Sequence, residues 1–268
     1  MHRTPAVAGR FYDGTRDGLR KQVEQYVAAG QPPMDAVGIM VPHAGLIYSG
    51  SVAGQVYSSI SMPKTFIMLG PNHTGLGPAV SLMDDGTWEV PTGSLNIDRR
   101  LARRILQGTA LADCDSQAHA YEHSLEVQLP FITYFSHDVS IVPIAIMTAS
   151  YDSCRELAEA IAKAIQGVDY PVTILASSDM SHYLSDRIAR QKDNKAIEKI
   201  LGLDPRGLYD TVMHERISMC GVLPATVMLI AAQLLGAKNA RLIKYMTSGD
   251  VSGDYDSVVG YAGIVLST

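Results

Sequence analysis

The run Val37-Gly38-Ile39-Met40-Val41 breaks off at Pro42-His43-Ala44-Gly45, and that break decides how the fold is read. A short continuous apolar run suits a strand covered on both faces. Proline has no N–H to give to a ladder and glycine turns freely, so the strand ends there and leaves the His43 imidazole just beyond it. The arrangement recurs at Phe66-Ile67-Met68-Leu69-Gly70-Pro71-Asn72-His73 and at Ile174-Leu175-Ala176-Ser177-Ser178-Asp179-Met180-Ser181-His182. Three buried strands each deliver a histidine past the carboxyl end.

Working outward, strands alternate with helical patterns. Residues 3–14 read as an ordered amino-terminal arm, and 17–29 as a helix that stops at Gly30 before Pro32-Pro33. Strands are expected at 37–41, 65–70, 79–83, 87–90, 93–97, 139–146, 172–176, 240–246 and 257–265. Helices are expected at 51–60 with Ser51 as cap, and at 99–107 with Asp98 as cap. Further helices are expected at 152–165, 186–201 and 206–213, and a wholly apolar one at 220–235. Residues 113–120 are polar, and the helical stretch that follows, with Leu125, Leu129 and Ile132, should kink at Pro130. The expectation is a single α/β domain over residues 1–268, with a mixed, mostly parallel central sheet and helices on both faces.

Composition narrows the class. With 47% hydrophobic and 18% charged residues in 268, a large core is affordable and disorder is excluded. A formal charge of −5 leaves no basic footprint for nucleic acid. No apolar run reaches membrane-spanning length, and Met1-His2-Arg3-Thr4-Pro5 does not begin a signal peptide. Cys114, Cys154 and Cys220 are odd in number and widely spaced, which points to a reducing cytoplasm rather than a disulfide framework.

Ligand sites in open α/β sheets lie at the carboxyl ends of the strands. His43, His73 and His182 all fall there and could share one crevice. Cys220 opens an apolar helix, whose positive end should favour the thiolate, and imidazole with thiolate suits zinc, iron or copper. Asp179 could supply a carboxylate or orient an imidazole. His123, in Glu122-His123-Ser124, could point into the same crevice or merely cap a helix. Each residue also has a plain structural reading, a hydrogen-bonded loop histidine or a small buried cysteine. The loop Ser248-Gly249-Asp250-Val251-Ser252-Gly253-Asp254 could hold an anion on its N–H groups or simply connect two strands. A Walker loop, a GxGxxG after a strand, a CxxC pair and a Gly-x-Ser-x-Gly elbow are all absent.

Taken together, RTPAVAGRFY at 3–12, VPHAGLIYSG at 41–50, GPNH at 70–73, EHSLEVQLPF at 122–131, SSDMSHY at 177–183 and MCGVLP at 219–224 resemble the Memo family, also described as AmmeMemoRadiSam system protein B. Residues 247–254 and 258–262 continue the match. The resemblance implies the fold of class III extradiol dioxygenases, in which two histidines and a carboxylate hold iron and another histidine is the acid/base. Carried over, His43 and His73 match the histidine ligands and His182 the acid/base, while Cys220 stands where the third ligand is expected. Thiolate for carboxylate makes the site softer and argues against ring cleavage.

Three functions follow as expectations. One is a metal-dependent redox enzyme with iron (or copper or zinc) on His43, His73 and Cys220, catalytic His182 and Asp179, and a small-molecule substrate. For it, the family description suggests a radical-SAM protein and an AMMECR-type protein as partners. The second is a binding module that recognises a peptide or anionic ligand through Tyr48, His123 and the other histidines. A zinc hydrolase is the third.

Overall fold

The computed structural model describes residues 1–27 and 32–268. Among these residues a single α/β domain is built on one mixed sheet of twelve strands. At its centre Gly93–Ile97, Ser140–Ile146, Thr65–Pro71, Val172–Ser177 and Gly38–Val41 lie side by side, each parallel to its neighbour. Phe66, Ile67, Met68 and Leu69 are all fully buried. Consecutive residues of a strand point to opposite faces, so a run with no exposed member must be covered on both.

The flanks are antiparallel. Val258–Ser267 runs against both Gly38–Val41 and Asn239–Thr247, and Thr87–Val90 forms a hairpin with Gly93–Ile97. His2–Arg3 adds a short parallel strand to Thr87–Val90. Helices Arg16–Glu24, Leu46–Ser58 and Leu129–Phe135 pack together on one face. Arg99–Gly108, Tyr151–Gln166, Pro205–His214 and Val222–Leu234 form the other layer. Asp98 caps the Arg99 helix as expected, accepting from Leu101 N at 2.9 Å, an interaction worth about 1 kcal/mol.

Four local expectations are corrected. The helix expected from Ser51 starts at Leu46 behind Gly45, without a side-chain cap. Phe11 O accepts the Leu46 N–H at 2.7 Å, and the Ser51 hydroxyl instead accepts from Lys244 Nζ at 2.6 Å. Pro130 makes no kink. It occupies the first turn of Leu129–Phe135, after a 3₁₀ turn at Glu126–Gln128, where a missing N–H costs nothing. His182–Leu184 is a strand, paired with Val258–Ser267, too short to leave a pattern of its own. The amino-terminal helix is Arg16–Glu24 and gives way to a turn at Gln25 and Tyr26, short of the expected end at 29; residues 28–30, with the expected stop at Gly30, lie outside the described residues.

The loop after Thr247 is no anion cradle. It contains a short helix, Gly249–Ser252, and its Asp250 accepts from Arg190 Nη2 at 2.8 Å and from Thr247 N at 2.9 Å. The carboxylate braces its own loop. Among the described residues no helix is long and apolar enough to cross a membrane.

Candidate metal centre

The strands Gly38–Val41 and Thr65–Pro71 lie on either side of Val172–Ser177. His43 and His73 therefore rise beside the carboxyl end of the strand that ends in Ser177. A third ring arrives from the other side of the chain, on the turn 122–124. One ligand atom each from His43, His73 and His123 lie within 4.8 Å of one another. The His73 and His123 rings stack with centroids 4.7 Å apart, and both meet the His43 ring edge-on at 5.4 and 5.5 Å.

Two glycines make room for this. A Cβ on Gly70 would stand 2.6 Å from Leu125 Cδ2 and 2.8 Å from Ser124 Oγ. A Cβ on Gly221 would stand 2.4 Å from Ser177 O. Only glycine lets the 122–125 turn and the Cys220 turn come down onto the strand ends.

Hydrogen bonds fix which ring nitrogen is free. Ser177 Oγ donates to Ser124 O at 2.6 Å and accepts from Gln128 Nε2 at 2.9 Å. Towards His43 Nδ1, also at 2.9 Å, it has only a lone pair left to offer. Nδ1 therefore carries the proton and Nε2 keeps its lone pair. His73 Nδ1–H donates to Glu122 Oε1 at 2.9 Å, which again turns Nε2 to the cluster. Glu122 also accepts the N–H groups of His73 and Ser124.

The thiol of Cys220 lies 3.3 Å from His43 Nε2 and accepts from Asp179 N at 3.3 Å. Asp179 Oδ1 in turn accepts from His43 N at 2.8 Å. His182 is anchored through Nδ1 to Ser218 O at 2.9 Å, and it stands near enough to interact electrostatically with both His43 and Asp179. Tyr48 sits in the first turn of Leu46–Ser58, partly exposed and outside the imidazole cluster.

Burial disfavours the charged forms of His43, His123 and the Cys220 thiol. Burial, aided by the neighbouring His123 and His73, holds His43 well below the ordinary imidazole range. Burial lowers His123 as well. Burial and the Asp179 carboxylate push the Cys220 thiol far up. This corrects the helix-end argument: Cys220 lies just before Val222–Leu234, and loss of hydration outweighs the dipole there. Burial likewise raises Asp179. Glu122 goes the other way: burial alone would raise it, but the His73 ring and the N–H donors outweigh burial and hold it at about 2.

Glu122, Ser177 and Gln128 orient the site and were not singled out from the sequence. A signal existed at 122 and 126, where two acids stand in an otherwise apolar segment. A buried carboxylate needs partners, so each such acid marks a built network.

An α/β sheet with imidazoles, a thiol and carboxylates gathered at its strand ends defines a candidate metal-site protein of the open-sheet class. The chain belongs to the Memo-like protein family, whose model matches residues 3–265. A MEMO1 family protein of Methanopyrus kandleri is 41% identical, with 99% of each chain covered. One of Saccharolobus solfataricus is 44% identical over 97% of this chain and 98% of its own. An uncharacterized protein of Escherichia coli K12 shares the fold, with a TM-score of 0.57, 14% identity, and 85% of this chain and 98% of that one covered.

Proposed function

We propose that this chain binds a redox-active first-row metal ion, iron or copper, and acts on a small molecule held in the crevice. His43 and His73 are the primary ligands through Nε2, with Cys220 and His123 as further donors. The observation that carries this reading is the convergence of three imidazoles within 4.8 Å, two of them with Nδ1 committed to a fixed acceptor. That is how metal-binding histidines are ordinarily oriented. The donor set fits: imidazole suits zinc, copper and iron, and sulfur shifts preference to the softer of these. The 3.3 Å between Cys220 Sγ and His43 Nε2 is within reach of one ion bonded to both at about 2.0–2.3 Å.

When bound, such an ion supplies Lewis acidity and one-electron redox chemistry. The chain's own groups do the rest. His182, with Nδ1–H tied to Ser218 O, offers Nε2 as a proton acceptor at the crevice. Asp179, raised by burial, can hold a proton beside Cys220.

Anaerobic titration with Fe(II), Cu(I) and Zn(II) tests the reading on the intact protein and on the His43→Ala and Cys220→Ser variants. Tight binding that both variants weaken is expected; undiminished affinity in both would sink the assignment. Cys220 must also lose its proton to bind. Affinity should therefore rise by about tenfold per pH unit near neutrality, and less steeply in Cys220→Ser.

The exposed Ile47 and Tyr48, beside the His43 turn, and Tyr183, beside His182, favour a second reading. In it the crevice recognises a peptide or anionic ligand without turnover. Metal-independent peptide binding, with no oxygen consumed over a panel of catechols, would select it.

A further inference from the structure

The amino-terminal arm is bound to the site segment by one buried carboxylate. Glu126 is fully buried. Its Oε2 accepts from Arg3 Nη1 at 2.7 Å and Ala6 N at 2.8 Å, and its Oε1 from Val7 N at 3.0 Å and Tyr12 OH at 2.6 Å. Arg3 uses its remaining donors on the same segment: Nε on His119 O at 2.6 Å and Nη2 on Glu122 O at 2.7 Å. Its guanidinium lies over the Trp88 ring at 4.3 Å. Residues 3–12 and 119–126 thus form one hydrogen-bonded unit.

That unit touches the segments of all three clustered imidazoles. It carries His123 itself, against which the Phe11 ring packs at 4.7 Å. It carries Glu122, which fixes His73 through Nδ1. Phe11 O also accepts the N–H of Leu46 at 2.7 Å, three residues after His43. The sheet sets His43 and His73 beside each other, and Glu122, Ser124 and Gln128 tie the His123 segment to the strand ends; the arm clamps that segment from its other side.

We infer that Arg3 and Glu126 are positioning residues, and that the arm they anchor sets the geometry of the metal site although neither side chain enters it. The inference rests on the reading that the cluster holds a metal. A forked guanidinium reaching two carbonyls and a carboxylate cannot be replaced by a single ammonium. The arm would then keep its charge but lose its register.

The test uses the full chain and Co(II) as an optical probe. Wild type is titrated beside Arg3→Lys, Tyr12→Phe and Glu126→Gln, each first checked for unchanged far-UV circular dichroism. Glu89→Gln is the control, because it breaks the exposed His2–Glu89 pair of the same terminus. Arg3→Lys should bind Co(II) about 10–100-fold more weakly and change the visible band positions and intensities, which report ligand geometry. Tyr12→Phe should do so less, and Glu89→Gln not at all. If Glu126→Gln does not fold, Arg3→Lys and Tyr12→Phe carry the test. Wild type that binds while Arg3→Lys gives equal affinity and an identical spectrum overturns the positioning role and leaves the metal reading standing. Wild type that fails to bind overturns both.

Discussion

Two carboxylates do the same mechanical job on opposite sides of the site and have their acidities pushed in opposite directions. Glu122 accepts the backbone N–H of His73, and Asp179 accepts that of His43. Glu122 also accepts the hydrogen bond of His73 Nδ1–H, and is held at about 2. Asp179 accepts backbone N–H groups from His43 and Ala44 and sits beside the protonated Cys220 thiol, and burial raises it. A carboxylate that orients an imidazole through the ring must stay charged; one that only receives backbone N–H groups can be neutral and keep doing so. The His73 side is therefore anchored by a carboxylate held in its charged form, and the His43 side by one whose ionisation burial opposes.

The largest effect should come from breaking the charged side. Glu122→Ala leaves the His73 ring and two N–H groups without an acceptor, each such loss costing about 1–3 kcal/mol, and should cost at least about 3 kcal/mol by denaturant unfolding. Metal affinity should fall by at least about tenfold with it. A loss below about 1 kcal/mol would mean that Glu122 bears little of the anchoring.

Next comes His119, outside the site yet part of the unit that carries Glu122. It is fully buried, edge-on to the Trp88 ring at 5.5 Å; burial and the Arg3 charge lower it to about 4. The unfolded chain takes up a proton near pH 6.5 and the folded chain does not until about 4. Stability present above pH 6.5 is therefore lost as pH falls towards 4, by about 3 kcal/mol in all. His119→Phe should flatten that part of the stability–pH curve; an unchanged slope would assign the loss elsewhere.

On the His43 side the effects should be smaller. Ser177→Ala removes the acceptor that selects the His43 tautomer, and should cost about 1–2 kcal/mol and weaken metal binding. Histidine ring ¹⁵N shifts should show His43 as a tautomer mixture, and a single Nδ1–H tautomer would contradict the orientation argument. Asp179→Asn is smallest, below about 1 kcal/mol, because an amide oxygen can accept the same N–H groups. A cost equal to that of Glu122→Ala would end the contrast between the two sides.

Much of the frame was readable in order along the chain. The strands at 65–71, 87–90, 93–97 and 140–146 and the helices at 99–108, 151–166 and 186–201 follow from runs, periodicity and caps that are local properties. Element starts that depend on a distant partner were not readable. The Leu46 helix starts early because Phe11 supplies its acceptor, and the His182 strand exists only against Val258–Ser267.

The same division runs through the site. Sequence by itself determined that His43 and His73 stand past the ends of buried strands, since proline and glycine end a ladder wherever they fall. It also placed Cys220 and Asp179 among the candidates. Only the tertiary structure decided that His123 joins the cluster, that Glu122 rather than Asp179 orients a ring, and that the Cys220 thiol is protonated. Those outcomes turn on desolvation and on hydrogen bonds between residues tens of positions apart, such as Glu122 and His73. No local pattern encodes either.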